Sequence, residues 1–144
     1  MKFYTSFLAL FLTVSLANAA DILVGTPQEL KSAAAKAKPG DIILLKNKVW
    51  TDVQLVISGK GTKEKPILVK PETGDYVVIS GMSNLKIGGE YIIIKGFHFK
   101  DGYSPKDHVV NFRVDNENLA NNCRITQFAI ERFSQPERFK GDSW

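Results

Sequence analysis

Two histidines, His98 and His108, are the side chains of this 144-residue chain best placed by type to exchange a proton or hold a substrate oxygen near neutral pH. His108 follows the polar stretch Ser104 to Asp107 and enters an apolar run. Loops on rigid scaffolds carry binding residues in that setting, so His108 is a candidate for touching a substrate oxygen, against the plainer reading of a surface histidine at a strand start. Arg113 follows Phe112 in the same region, and its planar fork suits a carboxylate. An ordinary surface ion pair is its competing reading. His98 lies between Phe97 and Phe99, and strand alternation points it away from both. If the phenylalanines are interior, His98 is a histidine on the outer wall.

The remaining polar residues carry less chemistry. Asp101, Asp107, Asp115 and Glu117 lack the compact, regular spacing of a calcium loop and read as turn residues, so no metal ligand is assigned. Asn116, Asn118, Asn121 and Asn122 suit turns or a polar ladder, and Lys60, Lys63, Lys65 and Lys70 a solvated loop. Gly59-Lys60-Gly61 and Gly88-Gly89 read as turn punctuation outside any phosphate-binding motif. Cys123 is the single cysteine, so no internal disulfide can form, and it reads as a small buried hydrophobe.

The elements that must position these residues begin after a targeting segment. Lys2, the uncharged run Phe7 to Leu16 and the small-x-small triplet Ala17-Asn18-Ala19 form a signal peptide over residues 1–19, and the protein is expected to be secreted or periplasmic. The apolar run is too short for a membrane span, which takes roughly 20 residues, so no membrane association is expected after cleavage. Without Lys2 the net charge falls from +4 to +3. The basic residues are scattered rather than striped, which argues against nucleic acid.

Thr26-Pro27-Gln28-Glu29 is a helix start with a capping box and Pro at the first helical position. The spacing of Leu30, Ala33, Ala34 and Ala37 predicts a short amphipathic helix from Pro27 to Lys38, stopped by Pro39-Gly40. Beyond Gly40 short aliphatic runs alternate with Gly, Pro, Asp, Asn and Lys turns, among them Ile42 to Leu45, Val53 to Ile57, Pro66 to Val69, Tyr76 to Ile79, Leu85 to Ile87, Tyr91 to Ile94, Phe97 to Phe99, His108 to Phe112 and Cys123 to Ile130. These runs repeat. Ile67-Leu68-Val69 returns as Ile92-Ile93-Ile94, and Ile94 to Phe99 returns as Ile125 to Ile130. Such periods mark a solenoid, with Asp101 to Asp107 and Asp115 to Ala120 as insertions on one side. The fold predicted is all-β: the first coils of a right-handed parallel β-helix over residues 20–144, with the helix as the cap that a solenoid end requires. The pattern is still running at Gly141-Asp142-Ser143-Trp144, so the chain is expected to be part of a longer protein.

Lys38-Pro39-Gly40-Asp41-Ile42-Ile43-Leu44-Leu45 is similar to the opening of many right-handed β-helix enzymes. The ordered set Trp50-Thr51-Asp52, Gly59-Lys60-Gly61-Thr62, Lys65-Pro66-Ile67, Ile79-Ser80-Gly81, Gly96 to Gly102 and Arg124-Ile125-Thr126 resembles polysaccharide lyase family 6, which contains alginate lyases and chondroitinase B. The resemblance spans about residues 21–144 and implies β-elimination on a uronic acid unit of an acidic polysaccharide, alginate before dermatan or chondroitin sulfate. It also implies calcium to neutralise the carboxylate, a lysine base and an arginine acid. None of those groups has a match here, so no catalytic residue is assigned. Lys95, Lys100 and Arg124 are not promoted on residue type, this piece alone is expected to bind no calcium and to be inactive, and the oligomeric state stays open. The alternatives are a non-catalytic β-helix that binds acidic glycans or serves as a surface structure, and a pectate-lyase-like β-helix enzyme.

Overall fold

In the computed structural model residues 19–106 and 108–134 are described; residues 1–18, which make up nearly all of the expected signal peptide 1–19, Asp107 and residues 135–144 lie outside the described residues. The strands are β1 (Asp21–Val24), β2 (Ile42–Leu45), β3 (Trp50–Thr51), β4 (Gln54–Lys60), β5 (Ile67–Pro71), β6 (Val77–Met82), β7 (Asn84–Glu90), β8 (Ile92–Tyr103), β9 (Val110–Asn111), β10 (Ala120–Asn121) and β11 (Arg124–Phe133), and the one helix is α1 (Pro27–Lys36). Every strand pairing is parallel, and together the strands wind a β-solenoid of about three turns.

Three faces close around one interior. The first stacks β1, β2, β5 and the leading part of β8; the second stacks β3, β6 and the trailing part of β8; the third stacks β4, β7, then β9 and β10. β11 lies along both arms of β8, which bends near Gly96. Both sequence repeats are stacked pairs: Ile67, Leu68 and Val69 lie on Ile92, Ile93 and Ile94, and Ile94, Phe97 and Phe99 lie under Ile125, Phe128 and Ile130. Alternation then sorts the side chains. Ile43, Val69, Ile94, Ile79, Phe97, Phe99, Ile57 and Ile87 are all buried in one core cluster. Between the second and third faces each turn bends through a left-handed residue: Asp52, Gly81, Asp101 and Arg132 all have positive φ. Such a conformation costs a non-glycine residue of order 1 kcal/mol or more. At Asp52 the carboxylate offsets it by accepting from the Met82 amide at 2.7 Å.

The helix is shorter than the spacing predicts, ending at Lys36 with Ala37 as its C-cap. Thr26 accepts from the Glu29 amide as a cap should, but Glu29 reaches back to the amide of Gly25 rather than that of Thr26. α1 occupies the place below β4 that a preceding coil would fill, with Leu30 and Ala34 buried against the core. Gly59 makes this approach possible, because a Cβ there would run into the carbonyl of Ala34. Gly59 is therefore a strand residue selected by close packing, not turn punctuation. Asp41 fastens the start of the first full coil by accepting from the amides of Ala20 and Lys38 at 2.9 and 2.8 Å. Those amides, Ala20 first, hold its carboxyl below the usual carboxylate range. β1 and β3 are strands that the apolar runs did not reveal, and Tyr91 to Ile94 and Phe97 to Phe99 are one bent strand rather than two.

Candidate functional site

The third face changes as it climbs. In β7 only Ile87 and Gly88 separate Lys86 from Gly89; one coil later the residues stacked on that pair are Asn111 and Ala120, with 112–119 between them. The extra residues leave the wall as a small hairpin. Arg113 and Leu119 form an antiparallel bridge. Val114 donates its amide to the Asn118 carbonyl at 2.9 Å and Ala120 to that of Phe112 at 3.1 Å. The Asp115 carboxylate closes the tip by accepting from the amides of Glu117 and Asn118. The Asn118 amide then donates to the Ser58 hydroxyl, 60 residues earlier, at 3.0 Å. It crosses directly over Gly88, where a Cβ would strike its side chain. Gly88, like Gly59, is a bare strand position beneath a close neighbour.

A second excursion joins β8 to β9. The hydroxyl of buried Ser104 donates to the His108 carbonyl at 2.8 Å and accepts from the Lys106 amide at 3.3 Å, which ties the two ends of the loop together. Between this loop and the wall lies a cleft of about 100 Å³ lined by Asn84, Leu85, Lys86, Lys106, His108 and Asn111. His108 is exposed and lines this cleft. Arg113 is exposed as well, but it sits in the hairpin and does not line the cleft, so the structure does not bring the two candidates into one site. The expected strand from His108 to Phe112 shrinks to Val110–Asn111, because the chain must leave the wall at Phe112. Arg113 makes no ion pair among the described residues.

The other polar residues fall into structural roles. His98 faces outward, with Nε2 3.2 Å from the Glu131 carboxylate and its ring edge-on to Tyr76. Lys100 joins the same carboxylate at 3.4 Å. Asp101 takes both arms of the Arg132 fork, at 2.5 and 3.1 Å, and that bond holds its carboxyl below the ordinary range. Cys123 is half-buried, and burial pushes its thiol up, away from the reactive thiolate. Among the described residues no three of His, Cys, Asp and Glu gather where they could hold a metal ion. No described helix is long and apolar enough to cross a membrane. Asn84, Lys86 and Lys106 are the site residues that motif reasoning missed. Their signal was parity: with Leu85 and Ile87 interior, Asn84 and Lys86 must face out.

Residues 24–144 match the sequence profile of the family described as Chondroitinase B. Among solved structures, the family 6 alginate lyase AlyGC is 43% identical with a TM-score of 0.77, the match covering 83% of this chain and 16% of that protein. The family 6 polysaccharide lyase Pedsa3628 from Pseudopedobacter saltans is 34% identical with a TM-score of 0.65, over 76% of this chain and 24% of that one. A mannuronic acid specific family 6 lyase from human gut microbiota is 25% identical with a TM-score of 0.70, over 82% of this chain and 28% of that one. The chain thus spans between about a sixth and under a third of the length of these relatives. No curated protein matches it.

Proposed function

The chain belongs to the chondroitinase B family, alongside the family 6 polysaccharide lyases, and from that premise we propose that it forms the capped first turns of an exported lyase acting on uronate-containing polysaccharide, alginate before dermatan or chondroitin sulfate. The carrying observation is the β-solenoid itself, shared with an alginate lyase at 43% identity over 83% of the chain. The preference for alginate follows that relative and the mannuronic acid specific one. In this reading the reaction is a β-elimination. A base removes the proton α to the uronate carboxylate, and the electron pair left behind forms the C4–C5 double bond. The glycosidic oxygen leaves with a proton from an acid.

Calcium would supply charge neutralisation of the carboxylate in such a reaction. The described residues do not fit it, so no step is drawn through the ion here. Base, acid and metal ligands are assigned to coils outside this chain, and what this chain contributes is grip on the polysaccharide. His108 beside its cleft and Arg113 on the hairpin are the contacts, one offering a ring nitrogen to a sugar oxygen and the other a fork to a carboxylate.

The test is formation of unsaturated uronate, followed by its ultraviolet absorbance, with alginate and dermatan sulfate offered separately in the presence of calcium. A protein joining this chain to the remaining coils of a family 6 lyase is expected to release product from alginate, and the chain by itself to release none. No product from either polymer with the longer protein would sink the lyase reading. Product from the chain alone would move the catalytic groups back into it.

A further inference from the structure

Four polar side chains are buried among the described residues: Asp41, Ser83, Asn84 and Ser104. Three are satisfied. Asp41 accepts two amides, the Ser83 hydroxyl accepts from the Val53 amide at 2.9 Å and donates to the Ser80 carbonyl at 2.6 Å, and Ser104 holds the His108 loop. Asn84 is the exception. It is 3% exposed, yet its carboxamide finds no hydrogen-bond partner among the described residues. A buried amide left unpaired keeps its full desolvation cost with nothing to offset it, so natural proteins rarely retain one without a use for it.

Its position supplies the use. Asn84 shares the outward side of β7 with Lys86 and lines the cleft closed by Lys106, His108 and Asn111. Neither lysine has a carboxylate partner among the described residues. The cleft therefore collects two ammonium groups, an imidazole and two carboxamides, with no acid among the described residues of its lining. Its volume of about 100 Å³ is that of roughly three waters in the liquid, which take about 30 Å³ each. That is too small for a sugar ring and suited to the charged group a ring carries.

Resting on the lyase reading above, we propose that this cleft is a subsite for one uronate carboxylate of the polysaccharide. The Asn84 amide and the ammonium groups of Lys86 and Lys106 donate to its oxygens, while His108 and Asn111 flank the ring outside. A carboxylate is costly to desolvate unless paired and hydrogen-bonded, and this lining offers both. The selectivity follows from the same cost: a neutral hydroxymethyl in place of the carboxylate leaves both lysines facing nothing.

Calorimetric titration of the chain with an unsulfated oligouronate and with its carboxyl-reduced counterpart tests this. The acidic sugar is expected to bind at least about tenfold more tightly, since its carboxylate gains charge-assisted hydrogen bonds that the hydroxymethyl group cannot match. Lys86→Met with Lys106→Met should remove that advantage and leave the reduced sugar's affinity unchanged, while the two Lys→Arg changes restore it. Asn84→Asp, which sets a like charge against the ligand, should abolish preference for the acid. Equal affinity for the two sugars, or a Lys→Met double variant that binds the acid like the parent, would overturn the subsite. Failure of the lyase reading shows differently: oligouronate binding that responds to these variants, with no unsaturated product from the longer protein, removes the reaction and keeps the subsite.

Discussion

The lower and upper halves of the solenoid repeat the same register but not the same finish. Below, Phe97 and Ile94 are closed off completely, as are Ile57, Leu55 and Trp50 in the first coils. One coil higher, Phe128 and Ile125 sit in equivalent positions yet stay only half-buried, and Ile130, stacked on buried Phe99, is 52% exposed. Both excursions from the wall also belong to the upper coil. The difference teaches that register alone sets which way a side chain points, whereas burial and function depend on what lies above and beside it. The lower turns are scaffold; the third turn spends its extra residues on display.

The largest expected effect compares stacked twins. Phe97→Ala should cost about 3–5 kcal/mol, as for a fully enclosed aromatic. Phe128→Ala, which removes the same ring one coil up and uncovers part of Phe99 5.7 Å away, should cost only about 1–2 kcal/mol, in proportion to the smaller area it returns to water. Urea unfolding midpoints measure both. Equal losses would erase the distinction between the halves.

The two bare glycines sharpen it further. Gly59→Val pushes on the Ala34 carbonyl and should loosen the cap, lowering global stability by about 1–3 kcal/mol. Gly88→Val pushes on Asn118 instead. Its effect should stay local, seen as faster hydrogen exchange at the amides of Val114 and Ala120 with little change in the unfolding midpoint. A global loss from Gly88→Val would mean the hairpin is part of the scaffold.

The smallest effect is at Asp41. Its folded pKa is depressed by the Ala20 and Lys38 amides. The stability it contributes is therefore present above the unfolded value of about 4 and disappears as pH falls through the folded value. Asp41→Asn should be less stable than the parent near neutrality, and the two should converge in acid. A gap that stayed constant down to the acid limit would show that the charge plays no part.

Much of this molecule was legible in its residues. Helix start, the opposed directions of His98 and its flanking phenylalanines, and both repeats followed from capping chemistry, alternation and period, which depend on neighbours in sequence. The short strands β1 and β3 did not, because two to four residues carry too little pattern to stand apart from turns. Gly59 and Gly88 misread as turns for a related reason: their meaning lies in Ala34 and Asn118, 25 and 30 residues away. The cleft was half legible. His108 announced itself by type, while Asn84 gained significance only once its burial and lack of a partner were visible.

Hydrogen exchange across the whole chain, with and without an unsulfated oligouronate, tests most directly the division between an inert capped scaffold and a ligand-holding third turn. Slowed exchange confined to residues 84–86 and 104–111, with the amides of α1, β2 and β5 unchanged, is the predicted result. Protection that appears around α1 and the first face instead, leaving 104–111 as before, would contradict it.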